Sequence, residues 1–256
     1  VAVGSSAGAA ITTGIRNTFI GALSADALTD ADFNVAVGWG ALTTDTLGSN
    51  STAVGYRSLA NSTFTTATNS YNTAVGANAG TAVTTGLQNT FIGGLAGDAL
   101  NDADFNVALG YASLSTDTRG SKSTALGWAS LNSQNFTTAV DSFNTAVGFQ
   151  SGMVITTGIQ NTLIGALSGD ALTDADYNVA VGRNSLSADT LGSKTTAIGR
   201  STLTNQNFTT ATDSHNVAVG YNAGSKVTTG THNTLIGSLA GDALTSGASN
   251  VAVGYN

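Results

Sequence analysis

A five-residue phrase, polar at its start and apolar toward its end, recurs from one end of the chain to the other. A polar residue, Asn in most copies, is followed by Thr or Val, then by Ala or a larger apolar residue, then by Val, Ile or Leu, and finally by Gly. Asn72 to Gly76, Asn89 to Gly93 and Asn144 to Gly148 are three copies. A short run rich in Thr, Val and Ile, closed by Gly, predicts a short strand ending in a turn. The closing glycines recur at intervals of 17, 17, 17 and 21 residues, and the cycle repeats as a 72-residue super-repeat. Asn17, Asn89, Asn161 and Asn233 mark the same point in successive super-repeats.

A unit of 17 to 21 residues is too short for a helical hairpin and suits one coil of a β-solenoid. The expected fold is therefore all-β, a parallel β-solenoid running continuously over residues 1–256 as a segment of a longer fibre. Within each strand the residue after Asn and the residue before Gly share a face, because they are two apart. That apolar pair is expected to point into the coil. The central residue then faces outward, and it is apolar too, so a second protein surface must cover it. Copies of the same chain are the simplest cover, which assigns Ala36, Ala53, Ala74, Phe91, Ala108, Ala125, Ala146 and Leu163 to a homo-oligomer interface.

The closing residues Gly38, Gly55, Gly76, Gly93, Gly110, Gly127, Gly148 and Gly165 are expected where the turn needs positive φ or close backbone approach. The Asn that opens each strand is expected to stack on its counterpart in the next coil as a side-chain amide ladder.

Composition narrows the functional classes. The chain has 256 residues, with 32 Gly, no Pro and no Cys, and only 9% are charged, against roughly 25% in ordinary globular domains. Pro would delete a ladder hydrogen bond, and like charges stacked on successive coils would repel. A net charge of −7 with eight scattered basic residues argues against a nucleic-acid surface. No apolar run is long enough to span a bilayer as a helix, so membrane insertion is not expected.

The phrases "NTAVG" and "NVAVGYNAG" resemble the head repeats of YadA-like trimeric adhesins, and similar arrays occur in phage tail-fibre proteins. The resemblance implies a left-handed parallel β-roll wound as a homotrimer. It implies an extracellular setting, on a virion tail fibre or a cell surface. It also implies host attachment through a receptor or glycan, engaged by a region that can lie outside this segment.

Candidate chemistry is sparse. Gly4-Ser5-Ser6-Ala7-Gly8 matches a nucleophile elbow, yet its repeat equivalents at Gly76, Gly148 and Gly220 do not keep the central Ser. His215 and His232 replace residues of other types in the equivalent coils and read as variable surface positions. Asp98, Asp102 and Asp104 lie within seven residues and could gather Ca²⁺; the alternative is turn-forming, solubilising Asp. Trp39, Tyr56, Tyr111, Trp128, Phe149, Tyr221 and Tyr255 directly follow a closing Gly. They suit packing between coils or chains, or stacking on sugars. Thr pairs such as Thr84-Thr85 and Thr65-Thr66 fall at different offsets from Gly and predict no continuous Thr column. The expected function is a structural, non-enzymatic shaft or head segment of an attachment fibre, with no cofactor. The alternatives are the head of a bacterial trimeric adhesin and a Ca²⁺- or glycan-binding solenoid.

Overall fold

The computed structural model describes residues 1–256 and contains strands and turns but no helix. The chain divides into two units, one of residues 1–123 with 135–141 and one of residues 124–134 with 142–256. Each is a parallel β-solenoid built from the repeated phrase. In the first unit, Thr18–Ile20, Val35–Val37, Thr52–Val54, Thr73–Val75, Thr90–Ile92 and Val107–Leu109 are successive parallel neighbours. In the second, the same relation runs from Thr124–Leu126 through Thr145–Val147, Thr162–Ile164 and onward to Val251–Val253.

The register is uniform. Thr18 pairs with Val35 and Val35 with Thr52, seventeen residues apart, while Thr52 pairs with Thr73 across the longer coil. The extra residues of the long coil add a second, two-residue ladder. Gly48–Ser49 pairs with Thr68–Asn69 and Gly120–Ser121 with Val140–Asp141 in the first unit, and Gly192–Ser193 with Thr212–Asp213 in the second.

The strand faces are the reverse of those expected. The central residue points into the coil: Ala36, Ala53, Ala74, Phe91, Ala108, Ala125, Ala146 and Leu163 are each 0% exposed within one chain. The flanking pair points outward and is half-buried or exposed, as at Thr90 and Ile92. These eight central residues are therefore core and cannot meet another copy. Alternation explains why. The opening Asn has the parity of the central residue, and both are inside.

Inside, the Asn column is the main polar fastening. The Asn89 side-chain carbonyl accepts the backbone N–H of Asn106 at 2.9 Å, and its amide donates to the Ala103 carbonyl at 2.8 Å. Asn72 does the same for Asn89 and Gly86, and Asn161 for Asn178 and Ala175. Each Asn thus ties one coil to the next and also crosses its own coil. The fully buried amide has its hydrogen bonds satisfied, as burial requires.

Ala at most central positions keeps the coil narrow. Every fourth copy carries a large residue instead, and glycines make the room. A Cβ on Gly80 would lie 2.7 Å from the Phe91 ring, and one on Gly169 would lie 2.8 Å from a Leu163 methyl. Leu28, Leu42, Leu59 and Leu100 fill the rest of the first unit's interior, and Leu131, Ile155, Leu172 and Leu186 that of the second.

Candidate functional site

With the central residues inside, the outer surface of the motif strands is formed by the flanking pair. Its second column is Val, Ile or Leu in every copy. In the first unit Ile20, Ile92 and Leu109 are 42%, 37% and 40% exposed. In the second, Leu126, Ile164, Ile198 and Ile236 are exposed to a similar extent. A β-branched and Leu column on an otherwise Thr/Val strand face is an uncovered apolar strip in each unit, beyond the scattered exposed apolar residues normal for a surface.

The closing glycines sit at the edge of this strip, where the chain leaves the strand. The eight from Gly38 to Gly165 have φ between 133° and 142°, a region that side chains rarely adopt. At Gly93 a Cβ would come within 2.6 Å of the Gly110 carbonyl oxygen, so stacking of successive coils also excludes one.

Two further columns border the strip. The residue after the closing Gly carries the aromatic groups noted in the sequence. Trp39 stacks on Tyr56 with centroids 5.3 Å apart, and Trp128 on Phe149 at 5.1 Å. Arg200 lies over the Tyr221 ring at 5.6 Å. These rings stack between neighbouring coils and stay about half exposed.

The second column is the residue before the opening Asn, of which sequence reasoning singled out only His215 and His232, as variable surface positions. Every member from Arg16 to Ser249 has φ between 50° and 61° although none is Gly. In the first unit it runs Phe33, Asn50, Tyr71, Gln88, Phe105 and Lys122, with Arg16 placed over the Phe33 ring 5.2 Å from its centroid. In the second it includes Phe143, Gln160, Tyr177 and Lys194 and ends in two imidazoles, His215 and His232, 5.0 Å apart. The only sequence signal was the regular return of an aromatic residue just before the phrase.

Three polar members of this column, Asn50, Lys122 and Lys194, are braced by the long coil's extra ladder. Asn50 donates to the Asn69 side chain at 2.8 Å, and Lys122 and Lys194 reach Asp141 and Asp213 at 2.5 Å. Hydrogen bonding to Lys194 holds the Asp213 carboxyl below the usual carboxylate range and raises the Lys194 ammonium.

The candidate Ca²⁺ residues are not brought together. The Asp104 carboxylate accepts the Leu87 N–H at 2.7 Å, Asp102 faces Arg119 at 3.5 Å, and burial raises the Asp98 carboxyl, one oxygen of which has no hydrogen-bond partner. No three His, Cys, Asp or Glu side chains in the chain are placed to hold one metal ion. Each Asp faces a different neighbour because the turn directs them apart, and the Ca²⁺ assignment falls with that geometry.

Two other features correct or extend the sequence reading. Thr residues do align: Thr12, Thr29 and Thr46 occupy one column, and the Thr29 hydroxyl donates to the Thr46 carbonyl at 3.0 Å. All three stand nine residues before a closing Gly, an offset that Thr84 shares and that Thr65 and Thr66 do not. Asp45, Asp117 and Asp189 are fully buried. Asp45 accepts the N–H groups of Gly48 and Phe64 and the Ser62 hydroxyl, yet burial still pushes its carboxyl above the usual range. Ser6 lies in a turn at φ 58° and its carbonyl accepts the Ala9 N–H, a turn role for the residue of the apparent nucleophile elbow.

No protein-family model, curated protein or solved structure matches the chain.

Proposed function

We propose that this chain is a structural, non-enzymatic segment of an extracellular attachment fibre, assembled from three copies that pack through the outward faces of their motif strands. The observation that carries this reading is the apolar strip of Val, Ile and Leu, unbroken in each unit and about 40% exposed at Ile92 and Leu109. Such a surface calls for a protein cover. A second copy fits it because it presents the same side chains at the same coil-to-coil spacing, about 4.8 Å. The number three and a left-handed coil come from the resemblance of the repeated phrase to YadA-like heads. That resemblance equally supports a phage tail-fibre shaft and a bacterial adhesin head. A tail-attachment domain or a membrane-anchor barrel in the flanking gene sequence distinguishes the two.

Multi-angle light scattering tests the assembly. The parent is expected at three times 25.3 kDa, and Ile92→Asp with Leu109→Asp is expected to give a monomer that keeps its β-sheet circular dichroism. These side chains point out of the coil, so the substitutions leave its core intact. A monomeric parent, or an intact trimer in the double variant, overturns the proposal.

A further inference from the structure

The chain has two histidines, and they stand side by side. His215 and His232 occupy neighbouring coils in the column before the opening Asn, with ring centroids 5.0 Å apart and planes tilted by 37°. Both residues are exposed. At the same two coils of the preceding super-repeats the column carries Tyr71 with Gln88 and Phe143 with Gln160. Those pairs supply a ring and an amide. The last super-repeat replaces both members at once with imidazole, which is a ring and also a ligand for metal ions.

The coil itself does not ask for the change. Tyr71 and Phe143 sit at φ 51° and His215 at 50°, while Gln88 and Gln160 sit at 56° and His232 at 59°. The backbone N–H of His232 donates to the Ser214 carbonyl just as Gln88 does to Ser70 and Gln160 to Ser142. Only the side chains differ.

Their spacing is that of two ligands on one ion. With metal–nitrogen bonds of about 2.0–2.1 Å, two imidazoles on a tetrahedral ion set their ring centres about 5 Å apart. Aromatic pairs elsewhere in the chain lie nearly flat on one another, Trp39 on Tyr56 at 14° and Trp128 on Phe149 at 13°. The wider tilt of the imidazoles narrows the gap between them along one side. Rotation about χ2, which is soft in His, aims one nitrogen of each ring toward that side. Lys194, the next residue of the column, is held by Asp213 at 2.5 Å, which offsets its charge beside the pair. The net charge of −7 also favours a cation.

We propose that His215 and His232 form a two-imidazole site for a late first-row divalent transition metal ion, Zn²⁺, Ni²⁺ or Cu²⁺, with water at its remaining positions. Imidazole suits these ions, whereas Ca²⁺ and Mg²⁺ take oxygen ligands. Once one ring holds the ion, the second engages it within the same molecule, so the pair binds more tightly than either ring alone. The site lies on the outer surface and leaves the coil's packing as it is. It stands apart from the trimer reading and is tested separately.

Untagged, metal-free protein is titrated with Zn²⁺ and followed by calorimetry and by NMR of selectively labelled histidine rings. One Zn²⁺ per chain is expected to bind, with the signals of both rings shifting together, and Ca²⁺ is expected to shift neither. His215→Tyr and His232→Gln each install a residue that the column carries at the same place in an earlier super-repeat. Each is expected to bind Zn²⁺ at least tenfold more weakly than the parent, and the double variant to lose the site, at unchanged mass and circular dichroism. The ring signals test the pair in the parent itself, whatever the variants do to the fold. Zn²⁺ that shifts neither ring or only one, single variants that bind as tightly as the parent, a double variant that still binds, or Ca²⁺ that shifts both rings as Zn²⁺ does overturns the proposal.

Discussion

Gly80 and Phe91 share one space: a methyl group added to Gly80 would stand 2.7 Å from the Phe91 ring. Gly97, in the same coil as Phe91, faces the ring from the other side. Gly97→Ala adds left-handed strain to overpacking, about 2–5 kcal/mol together. Phe91→Ala empties the site and costs about 3–5 kcal/mol. In the Phe91→Ala background, Gly97→Ala should cost only the backbone strain, about 1–2 kcal/mol. Urea melts of the four proteins at one concentration check this, and additive costs would show that ring and glycine do not compete for the space.

Asn89 is the plainest test of the polar interior. Changing it to Leu leaves the Asn106 N–H and the Ala103 carbonyl buried without partners. At about 1–3 kcal/mol for each stranded group, the expected loss is roughly 2–6 kcal/mol. Asn→Leu at half-buried Asn50, where Asn69 is the side-chain partner, should cost far less. Thermal melts that ranked the two variants equally would remove the fastening role given to the column.

Coil length and strand pairing were legible because Gly93 and its equivalents punctuate the chain, and the pairings of Thr52 with Thr73 and Thr73 with Thr90 follow the glycine intervals. The inward face was misread at Ala108. A strand apolar on both faces does not by itself say which side is core. The deciding residue was the Asn of the same parity, Asn106, whose amide needs a carbonyl across the coil and finds it at Gly120. Asp98, Asp102 and Asp104 looked like one site because sequence distance ignores the turn that directs them to separate partners. The column of Phe33, Tyr71 and Phe105 was hidden for another reason. Coil geometry imposes its positive φ, and Phe and Tyr carry no local signal for that conformation.

Chelation should leave stability unchanged. Asp104 is already hydrogen-bonded to Leu87, Asp102 faces Arg119, and no three metal-ligating side chains converge. Melting curves with EDTA, and with Ca²⁺ restored, should superimpose on the parent's. A fall in Tm with EDTA that Ca²⁺ reverses would contradict the separation of these carboxylates.

Mild acid should stabilise the fold through Asp45 rather than weaken it. Burial raises the Asp45 carboxyl above its ordinary value of 3.8. Between that value and the raised one, the folded chain keeps a proton that the unfolded chain has released, so this contribution falls as pH rises through the window and is largest below it. Burial raises Asp98, Asp170 and Asp176 as well, and they act in the same direction. Asp213 opposes them: its carboxyl is lowered by Lys194, so its contribution is present above 3.8 and lost as pH falls through the lowered value. Asp45→Asn isolates one term. The new side-chain carbonyl can still accept from Gly48 and Phe64, and its amide can donate to Ser62, so stability at pH 7 should stay within about 1 kcal/mol of the parent or rise. The gain in Tm on going from pH 7 to pH 4.5 should be smaller in Asp45→Asn than in the parent. Equal gains would mean that Asp45 titrates no differently in the folded and unfolded chains.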